Sequence, residues 1–396
     1  MHLLRVQVPD FRGLKDIDIT FEKDFVPKIF PLGSQNGGGK STLLQLIFVL
    51  LHCSADDDKK PFLQNLLQGF KISEGKDQRV LAIIDIWDGE KIVNLNFFCK
   101  KVSFLEHTIR DSDEELNFLD ARDIEEDINS EVILDIGGVS KVKERFSYEK
   151  EIVNFTRLQC RFNNQSKDRS QLFLENISNK IFLAAPSTQV FLFLPQTARE
   201  LLFKKSPREG DNYYLIFESV RDKLSGLFTY DFLAVELLIE SFKAVRDRDF
   251  REAIQTGNYG NSYQALINDL NRLLGNKRIN LDEDFAGVNF HLYNNGETIE
   301  LYPEDLSHGE LKRLSIYIWL KSRNIEDAIV LMDEVEIAFH PDWQYQIISD
   351  LKEWAPSNQY ILATHSYALC EALTPAHVKE IEPKLIKQAS NITNES

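Results

Sequence analysis

The spacing of apolar and polar residues predicts that strands and helices alternate along this chain. In the segments Leu3 to Val8 and Ile17 to Phe21, apolar and polar residues alternate, which predicts two paired strands near the N-terminus. A short apolar run from Ile29 to Leu32 predicts a third strand, and the stretch from Thr42 to Leu51 predicts a helix directly after it. A strand followed closely by a helix favours an α/β fold.

Two further hairpins are predicted by β-rich runs that flank a short turn. The segment Val80 to Lys100 has such runs on either side of Asp88-Gly89, and the segment Val288 to Tyr302 turns at Asn295-Gly296. The earlier hairpin extends an N-terminal antiparallel β lobe. The later hairpin leads the chain into its C-terminal part.

Between these β-rich parts, the residues from Tyr213 to Leu274 follow helical spacing. Apolar side chains recur there at intervals of three and four residues, and GNYGNS (Gly257 to Ser262) interrupts the pattern. We therefore predict an inserted, mainly helical lobe. The predicted domain boundaries are 1–155 for the first part of an α/β head with its β lobe, 156–285 for the helical lobe, and 286–396 for the rest of the head.

The glycine-rich stretch GSQNGGGKST (Gly33 to Thr42) lies between the third predicted strand and the helix that follows. Consecutive glycines let backbone N–H groups curl around an anion, and the positive end of the helix faces the same place. Lys40 would supply charge to the β- and γ-phosphates of a nucleotide, and the Ser41 hydroxyl would bind Mg²⁺. This pattern predicts ATP and Mg²⁺ as cofactors, with nucleotide-binding residues Asn36, Gly37, Gly38, Gly39, Lys40, Ser41 and Thr42.

The glycine loop departs from the standard G-x-x-x-x-G-K-S spacing at one position. Ser34 occupies the place of the first glycine, and Gly33 lies one residue earlier. We expect the loop to accept this change through Gly33. The alternative is a glycine-rich turn with no ligand, and residues nearer the C-terminus distinguish the two interpretations.

An apolar run near the C-terminus ends in two acids. The segment Ala328 to Pro341 begins as a strand expected to be buried on both faces of a parallel sheet, and it continues into Asp333 and Glu334. Burying two carboxylates is costly without a cation or a catalytic role. Asp333 is therefore predicted to bind the water shell of Mg²⁺, and Glu334 to polarise the water that attacks the γ-phosphate.

A second apolar run, Tyr360 to Leu369, contains the polar triplet Thr364-His365-Ser366. If this strand lies beside the one that ends at Asp333, the carboxyl ends of both strands meet at one edge of the sheet. His365 is then predicted to contact the γ-phosphate. A histidine with a structural role is the alternative.

The segment LSHGELKRLSIYIWL (Leu306 to Leu320) predicts a helix capped by Ser307. Glu310 lies three residues later, which is the spacing of a capping box, and Gly309 permits close approach of the backbone. This helix start is a second anion site. One polypeptide does not need two such sites for one triphosphate, so we expect Ser307, Gly309 and Glu310 to serve the nucleotide of a second subunit.

Three other residues are weaker candidates. Arg12 lies at the bend of the first hairpin, where it could reach a nucleotide or simply face solvent. The apolar residues Phe191 to Leu194 are interpreted as a buried strand, and Gln196 follows them. Gln196 could contact a metal ion or the attacking water, or it could simply cap the strand. Gln159 is a less favoured candidate for the same role. The acidic region from Glu106 to Glu131 is interpreted as a solvated face or loop rather than a cation site.

Composition restricts the classes of function. The chain has 396 residues, 43% hydrophobic, and a formal net charge of −16, so any contact with nucleic acid would need a local basic patch. The four cysteines are widely separated, which predicts free thiols rather than a zinc site or a disulfide framework. We see no signal peptide and no apolar run suited to crossing a bilayer, so a cytoplasmic protein without membrane contact is expected.

The chain resembles the ABC-type ATPases of the SMC/RecF/OLD group in the order of four motifs. These motifs are the glycine loop, LSHGE, VLMDEVEIAFHP and THS. Within that group the chain looks most like the compact AAA-family ATPases of anti-phage defence, such as the Septu and PARIS ATPase subunits. The resemblance implies an ABC-type P-loop NTPase fold with a mixed central sheet, and an ATP sandwich between head-to-tail copies. By resemblance, the residues with assigned roles are Lys40, Ser41 and Thr42 (Walker A), Ser307, Gly309 and Glu310 (signature, with His308 replacing a small residue), Asp333 and Glu334 (Walker B and catalytic glutamate), Glu336 (D-loop region) and His365 (switch histidine).

The function that the resemblance implies is an ATP-hydrolysing switch. It would dimerise or assemble further on ATP, sense nucleic acid or a phage component, and control a separate effector, expected to be a nuclease encoded nearby. The short segment after His365 is expected to be too small for an appended nuclease domain. A RecF- or SMC-like repair ATPase acting directly on DNA is the alternative, and a transporter subunit is a third and less favoured one.

Overall fold

Two six-stranded sheets, one antiparallel and one parallel, carry most of the strands in this protein. The computed structural model describes residues 1–33, 37–107, 131–147, 150–163, 165–188, 193–194, 199, 219–230, 234–282, 287–294 and 297–381. The predicted α/β fold is confirmed, and its parallel and antiparallel strands lie in separate sheets. The acidic region is described only at its two ends, and the turn Asn295-Gly296 lies outside the described residues.

The antiparallel sheet is the predicted N-terminal β lobe. Its strand order is β2-β1-β4-β5-β7-β6, and every pair of neighbours is antiparallel. The hairpin around Asp88-Gly89 is confirmed, and the Asp88 carboxylate accepts backbone N–H groups of Glu90 and Lys91 at 2.7 and 2.8 Å. The strands are β1 (His2–Phe11), β2 (Leu14–Thr20), β4 (Gln78–Trp87), β5 (Ile92–His107), β6 (Glu131–Ser147) and β7 (Lys150–Asn163).

The parallel sheet carries the C-terminal motifs. Its strand order is β15-β3-β14-β13-β8-β9, so β14 lies between the strand before the glycine loop and the strand that ends at Asp333. The predicted neighbourhood of the last two apolar runs is therefore confirmed. The strands are β3 (Ile29–Gly33), β8 (Ile181–Ala185), β9 (Leu227–Thr229), β13 (Ile329–Asp333), β14 (Gln359–Ala363) and β15 (Lys379–Glu380).

The parallel sheet is buried on both faces, as its continuous apolar runs predict. Alternate residues of β13 belong to two different cores: Ile329 and Leu331 face the antiparallel sheet, whereas Val330 and Met332 face the opposite side. The first core also contains helix α1, which lies between the two sheets, and the second core contains most of the other helices. The helices are α1 (Lys40–Cys53), α2 (Lys60–Leu66), α3 (Lys167–Ser178), α4 (Ala234–Thr256), α5 (Ser262–Leu274), α6 (His308–Ser322), α7 (Pro341–Trp354) and α8 (Tyr367–Glu371).

One buried side chain joins the two large sheets. The Gln359 side chain accepts a hydrogen bond from the Leu3 N–H at 2.7 Å and donates one to the Leu3 carbonyl at 2.9 Å. Because both groups of Leu3 are buried, this amide satisfies polar atoms that water does not reach. The first strand of the chain is thereby attached to the strand that precedes His365.

The helical segment and a small sheet lie next to each other along the chain. Helices α4 and α5 are interrupted at residues 257–261, as predicted, and the Asp249 carboxylate accepts the backbone N–H groups of Ser262 and Tyr263 at the start of α5. The predicted boundary at 155/156 falls inside β7, and β8 and β9 join the parallel sheet although they lie within 156–285. The three-stranded sheet, in order, is β10 (Lys277–Leu281), β11 (Val288–Asn294) and β12 (Glu297–Leu301).

The sequence interpretation of Phe191 to Leu194 as a strand is wrong for its described residues. Phe193 and Leu194 are buried but belong to no strand, and Phe193 packs edge-on against Phe48 of α1 with ring centroids 6.1 Å apart. A short apolar run fits any buried position, so its pattern does not separate a strand from an irregular segment packed on a helix. Gln196 itself lies outside the described residues.

Two composition-based expectations can be compared with the structure. The four cysteines are free thiols, of which Cys53, Cys99 and Cys160 are buried and Cys370 is half-buried. Among the described residues, no helix combines the length and the apolar character needed to span a membrane.

The His52 side chain, near the end of α1, lies in the core and makes the stability of the fold depend on pH. It is buried, stacks on Phe48 and contacts the Ser178 carbonyl through Nδ1 at 2.7 Å. Burial lowers the pKa of His52 from 6.5 to about 4. Between these values the unfolded chain binds a proton that the folded protein excludes, so the free energy of unfolding falls as the pH decreases through this window.

We expect this histidine to contribute up to about 3 kcal/mol of acid destabilisation between pH 6.5 and pH 4. In His52→Gln, which keeps a donor for the Ser178 carbonyl, the free energy of unfolding should depend less on pH by that amount. Urea unfolding at several pH values measures the difference. Equal slopes for the variant and the wild type would contradict the prediction.

Candidate functional site

The candidate site lies where three neighbouring parallel strands end. In the order β3, β14 and β13, their carboxyl ends lead to the glycine loop with Lys40, to His365, and to Asp333 with Glu334. Carboxyl ends of parallel strands share one edge of a sheet, which is where ligands bind in open α/β folds. The strand order therefore brings together residues from distant parts of the chain.

The described part of the glycine loop has the backbone that a phosphate cradle needs. Gly37 has φ 79° and Gly39 has φ 87°, in the left-handed region that residues with side chains rarely adopt. Helix α1 begins at Lys40 directly after the loop, so its first unpaired N–H groups face the same place. Ser34 and Asn36 lie outside the described residues.

Ser41 and Asp333, the two predicted Mg²⁺ ligands, are in direct contact. The Ser41 hydroxyl donates a hydrogen bond to Oδ1 of Asp333 at 2.9 Å, and Asp333 is only 2% exposed. Burial raises the pKa of Asp333 to about 7; the hydrogen bond from Ser41 opposes this shift, and the nearby carboxylates of Glu334 and Glu336 add to it. A bound cation would favour the ionised carboxylate.

Lys40 and His365 face each other across the edge of the sheet. The Lys40 ammonium lies 3.4 Å from Nδ1 of His365, and the lysine is buried. Burial lowers the pKa of Lys40, while the carboxylates of Glu336, Asp333 and Glu334 act in the opposite direction. The carboxylates thus oppose the effect of burial on the ammonium, which lies at the edge where a phosphate would lie.

Glu334 has an unusual backbone conformation. Its φ angle is 51°, in the left-handed region, which is costly for a residue with a side chain and is found mostly at functional sites. Its N–H donates to the Ala363 carbonyl at 2.9 Å, and its own carbonyl accepts from the Ile337 N–H at 3.2 Å. This turn is attached to β14, so the strand before His365 also supports Glu334.

Glu336 is a third carboxylate of the site, and its role was missed in the sequence. One oxygen, Oε1, accepts the backbone N–H of His365 at 2.6 Å, and the other, Oε2, is buried without a hydrogen-bond partner within the described part of the chain. The sequence shows Glu336 two residues after Glu334. Its position in the sequence does not determine the direction of a side chain in a turn, so the contact with His365 could not be predicted.

The side chains at this edge fit a hard cation and a phosphate. Hydroxyl and carboxylate oxygens are the ligands that Mg²⁺ prefers, and the buried Oε2 of Glu336 is an acceptor without a donor among the residues that the structure describes. No group of three His, Cys, Asp or Glu side chains among the described residues forms a metal cage. Mg²⁺ usually keeps several waters and is held through one or two side chains and the phosphates of its substrate.

The predicted capping box at the start of α6 is present. The Glu310 carboxylate accepts the Ser307 N–H and hydroxyl, each at 2.9 Å, and the Glu310 N–H donates to the Ser307 hydroxyl at 3.2 Å. Lys277 of β10 forms an ion pair with the same carboxylate. Ser307 and His308 are exposed, so this helix start is accessible from outside the molecule.

Gly309 packs tightly against the segment after Glu334. A Cβ atom at this position would lie 2.7 Å from the Ala338 carbonyl oxygen and 3.1 Å from the Trp343 ring. Only glycine fits there without a shift of the backbone. The close approach predicted for Gly309 thus occurs within one chain, between α6 and the residues that follow the acidic pair.

The remaining candidates are less closely connected to the site. Arg12 is exposed at its bend, and its guanidinium donates to the Leu66 carbonyl at 2.8 Å, so its contact with a nucleotide stays a prediction. Thr42 is half-buried in the first turn of α1, and Gly38 is buried in the loop. Gln159 lies in β7 of the antiparallel sheet, paired with Asp135 and Phe98.

Comparison with known sequences identifies a family. The family model described as "AAA domain, putative AbiEii toxin, Type IV TA system" matches residues 35–371. The match therefore extends from the glycine loop through Ser307 and Asp333 to His365. The "Retron Vc95 probable ATPase" of Vibrio cholerae serotype O1 biovar El Tor is 36% identical over 69 residues, which are 16% of this chain and only 13% of that protein.

Solved structures show a distant likeness along most of the chain. They include the SMC head bound to the C-winged helix domain of ScpA, with a TM-score of 0.43 and 12% identity, covering 94% of this chain and 92% of that one. The SMC head domain from Thermotoga maritima has a TM-score of 0.43 and 11% identity, covering 94% and 92%. The SMC head with an extended coiled coil bound to the C-terminal domain of ScpA, derived from Pyrococcus furiosus, has a TM-score of 0.40 and 14% identity, covering 94% and 91%.

The contact at Gly309 gives a direct test of the packing around the acidic turn. In Gly309→Ala the new methyl group meets a backbone oxygen, which has little freedom to move, so the free energy of unfolding should fall by about 1–3 kcal/mol. Gly13→Ala is the matched control, because a Cβ there meets nothing within 4 Å. Denaturant unfolding of both variants checks the prediction, and equal stability of the two would contradict it.

Proposed function

Because this chain belongs to the AAA-domain family whose description names the AbiEii toxin, and is thus an AAA-family ATPase, we propose that it is an ATP-driven molecular switch. In this proposal two copies associate head to tail around bound ATP, and hydrolysis separates them. The observation that carries the proposal is the convergence of Lys40, Ser41, Asp333 and His365 at one edge of the parallel sheet.

Each residue of the site has a proposed task. The glycine loop and Lys40 hold the β- and γ-phosphates, and Ser41 and Asp333 hold Mg²⁺, which neutralises charge on the phosphates when it is bound. Glu334 polarises the attacking water, and His365 contacts the γ-phosphate. The Lys40–His365 distance of 3.4 Å is consistent with both side chains facing the same phosphate.

The second anion site supports association of two copies. Ser307 is exposed at the start of the 15-residue helix α6, and its hydrogen-bond partners are in the same segment. In the proposed dimer, Ser307, Gly309 and Glu310 face the nucleotide held by Lys40 of the other copy. A triphosphate between two subunits then makes the site complete only in the assembled form.

The proposed output of the switch is control of a separate effector. The resemblance of the motifs to compact defence ATPases such as the Septu and PARIS subunits supports a role in anti-phage defence, and the partial match to an ATPase named for a retron is in keeping with it. In this proposal the chain senses nucleic acid or a phage component and holds or releases an effector, expected to be a nuclease.

Glu334→Gln tests the proposed chemistry. The amide keeps the size of the side chain but does not act as a base, so ATP turnover should fall by about 10²- to 10⁴-fold while ATP binding persists. The ATP-bound dimer should then accumulate, and light scattering after size exclusion measures it. Lys40→Ala should give no dimer at all, because it removes the charge that holds the phosphates. Intact hydrolysis in Glu334→Gln would refute the role of this residue.

The effector proposal is tested by affinity purification from cells that carry the native locus. We expect the chain to recover the product of a neighbouring gene, with recovery that differs between the wild type and Glu334→Gln in the presence of ATP. An ATPase that works directly on DNA would behave differently. In that case DNA ends or gaps would stimulate the purified protein alone, and binding would weaken steeply with salt.

A further inference from the structure

Lys312 is a buried cation that the site described above does not use. It lies in α6, five residues after Ser307, and it is only 6% exposed. Its ammonium donates hydrogen bonds to the Glu334 carbonyl at 3.0 Å and to the Ile337 carbonyl at 3.1 Å. Both carbonyls belong to the turn that follows β13, and the first belongs to the residue proposed to polarise water.

Aromatic rings hold the Lys312 ammonium in place. It lies 4.0 Å from the centroid of the Tyr230 ring and 5.5 Å from that of Phe339, distances at which the faces of the rings attract a cation. Tyr230 is itself held, since its hydroxyl donates to the Ala184 carbonyl of β8 at 3.1 Å. Removing a charge from water costs several kcal/mol unless it is well paired, and these contacts offset part of that cost for Lys312.

The turn that Lys312 contacts depends on such support. Glu334 has a φ angle of 51°, a conformation that costs about 1–3 kcal/mol and persists only when the surroundings impose it. The backbone sets the direction in which the Glu334 side chain leaves the turn. Hydrogen bonds to the carbonyls at both ends of the turn therefore constrain the point from which the carboxylate extends.

The same helix begins at the second anion site. Five residues of α-helix span about 7.5 Å, so a displacement of Ser307 is carried to Lys312 by a rigid element. Gly309, between them, packs against the Ala338 carbonyl and Trp343, which gives the helix a second contact with the same segment. The start of α6 and the turn of Glu334 are thus joined at two points in one copy.

We propose that Lys312 is a positioning residue that couples the two nucleotide sites of the dimer. When Ser307 of one copy engages the nucleotide of its neighbour, α6 and Lys312 set the Glu334 turn of the first copy for hydrolysis. This inference rests on the proposed function, because it needs a nucleotide between two copies. It adds a route by which occupancy of one site controls catalysis at the other.

Lys312→Met tests the proposal, since methionine is unbranched and only one heavy atom shorter than lysine, and it lacks the charge and the donors. We expect kcat to fall by about 10- to 100-fold, as for a misplaced catalytic group, while the Kd for ATP changes less than about threefold. The Hill coefficient for ATP should fall to about 1, because the two sites no longer communicate. Lys321→Met is the matched control on the same helix: its ammonium donates to the Trp354 carbonyl at 2.6 Å, and kcat should remain that of the wild type.

A double-mutant cycle separates positioning from a general loss of structure. In a Glu334→Gln background there is no base to position, so Lys312→Met should reduce the residual turnover by less than about twofold. An equal reduction in both backgrounds would show that Lys312 acts independently of Glu334, and it would overturn the proposal. Wild-type kcat and cooperativity in Lys312→Met would overturn it as well.

Two further measurements keep the test decisive. If Lys312→Met does not fold by circular dichroism, Lys312→Leu, which also lacks the charge and the donors, replaces it with the same expectations and the same contradicting outcomes. The wild type is assayed first for ATP hydrolysis and ATP-dependent dimerisation. Failure there contradicts the proposed function, whereas an active, cooperative wild type with an unaffected Lys312 variant contradicts only this inference.

Discussion

The hydrogen bond from Ser41 to Asp333 joins parts of the chain that are 292 residues apart, and the rest of the site depends on the arrangement that permits it. It forms because β14 lies between β3 and β13, so that three buried strands end at one edge. If either core beside the parallel sheet were lost, these ends would separate. The geometry of the site therefore depends on the stability of both cores.

The site concentrates like charges where water is scarce. Asp333 ends one buried strand, Glu334 and Glu336 lie in the turn after it, and the Lys40 ammonium interacts with all three carboxylates. Burial, with the nearby carboxylates of Glu334 and Glu336, raises the pKa of Asp333, whereas a bound divalent cation would favour its ionised form. A bound cation would therefore interact more strongly with this site than with a neutral pocket.

The turn after β13 connects this chemistry with the outer face of the molecule. It is held by the Ala363 carbonyl from the side of β14 and by Lys312 from the side of α6. Helix α6 is also tied to Lys277 through Glu310 and to α7 through a buried ion pair between Arg313 and Asp350. Contacts from several elements thus determine the conformation of one strained residue, Glu334.

Much of this organisation is readable in the residues alone. The glycine loop before α1, the hairpin at Asp88-Gly89, the strand that ends at Asp333 and the capping box at Ser307 were all predicted, because each follows from interactions between residues close in the chain. The position of β14 between two other strands, the contact of Gly309 with Ala338, and the partners of Glu336 and Lys312 were decided by packing between distant segments. Local patterns specify which conformations a segment favours, but a buried side chain takes its direction and partners from neighbours that the chain brings together only on folding.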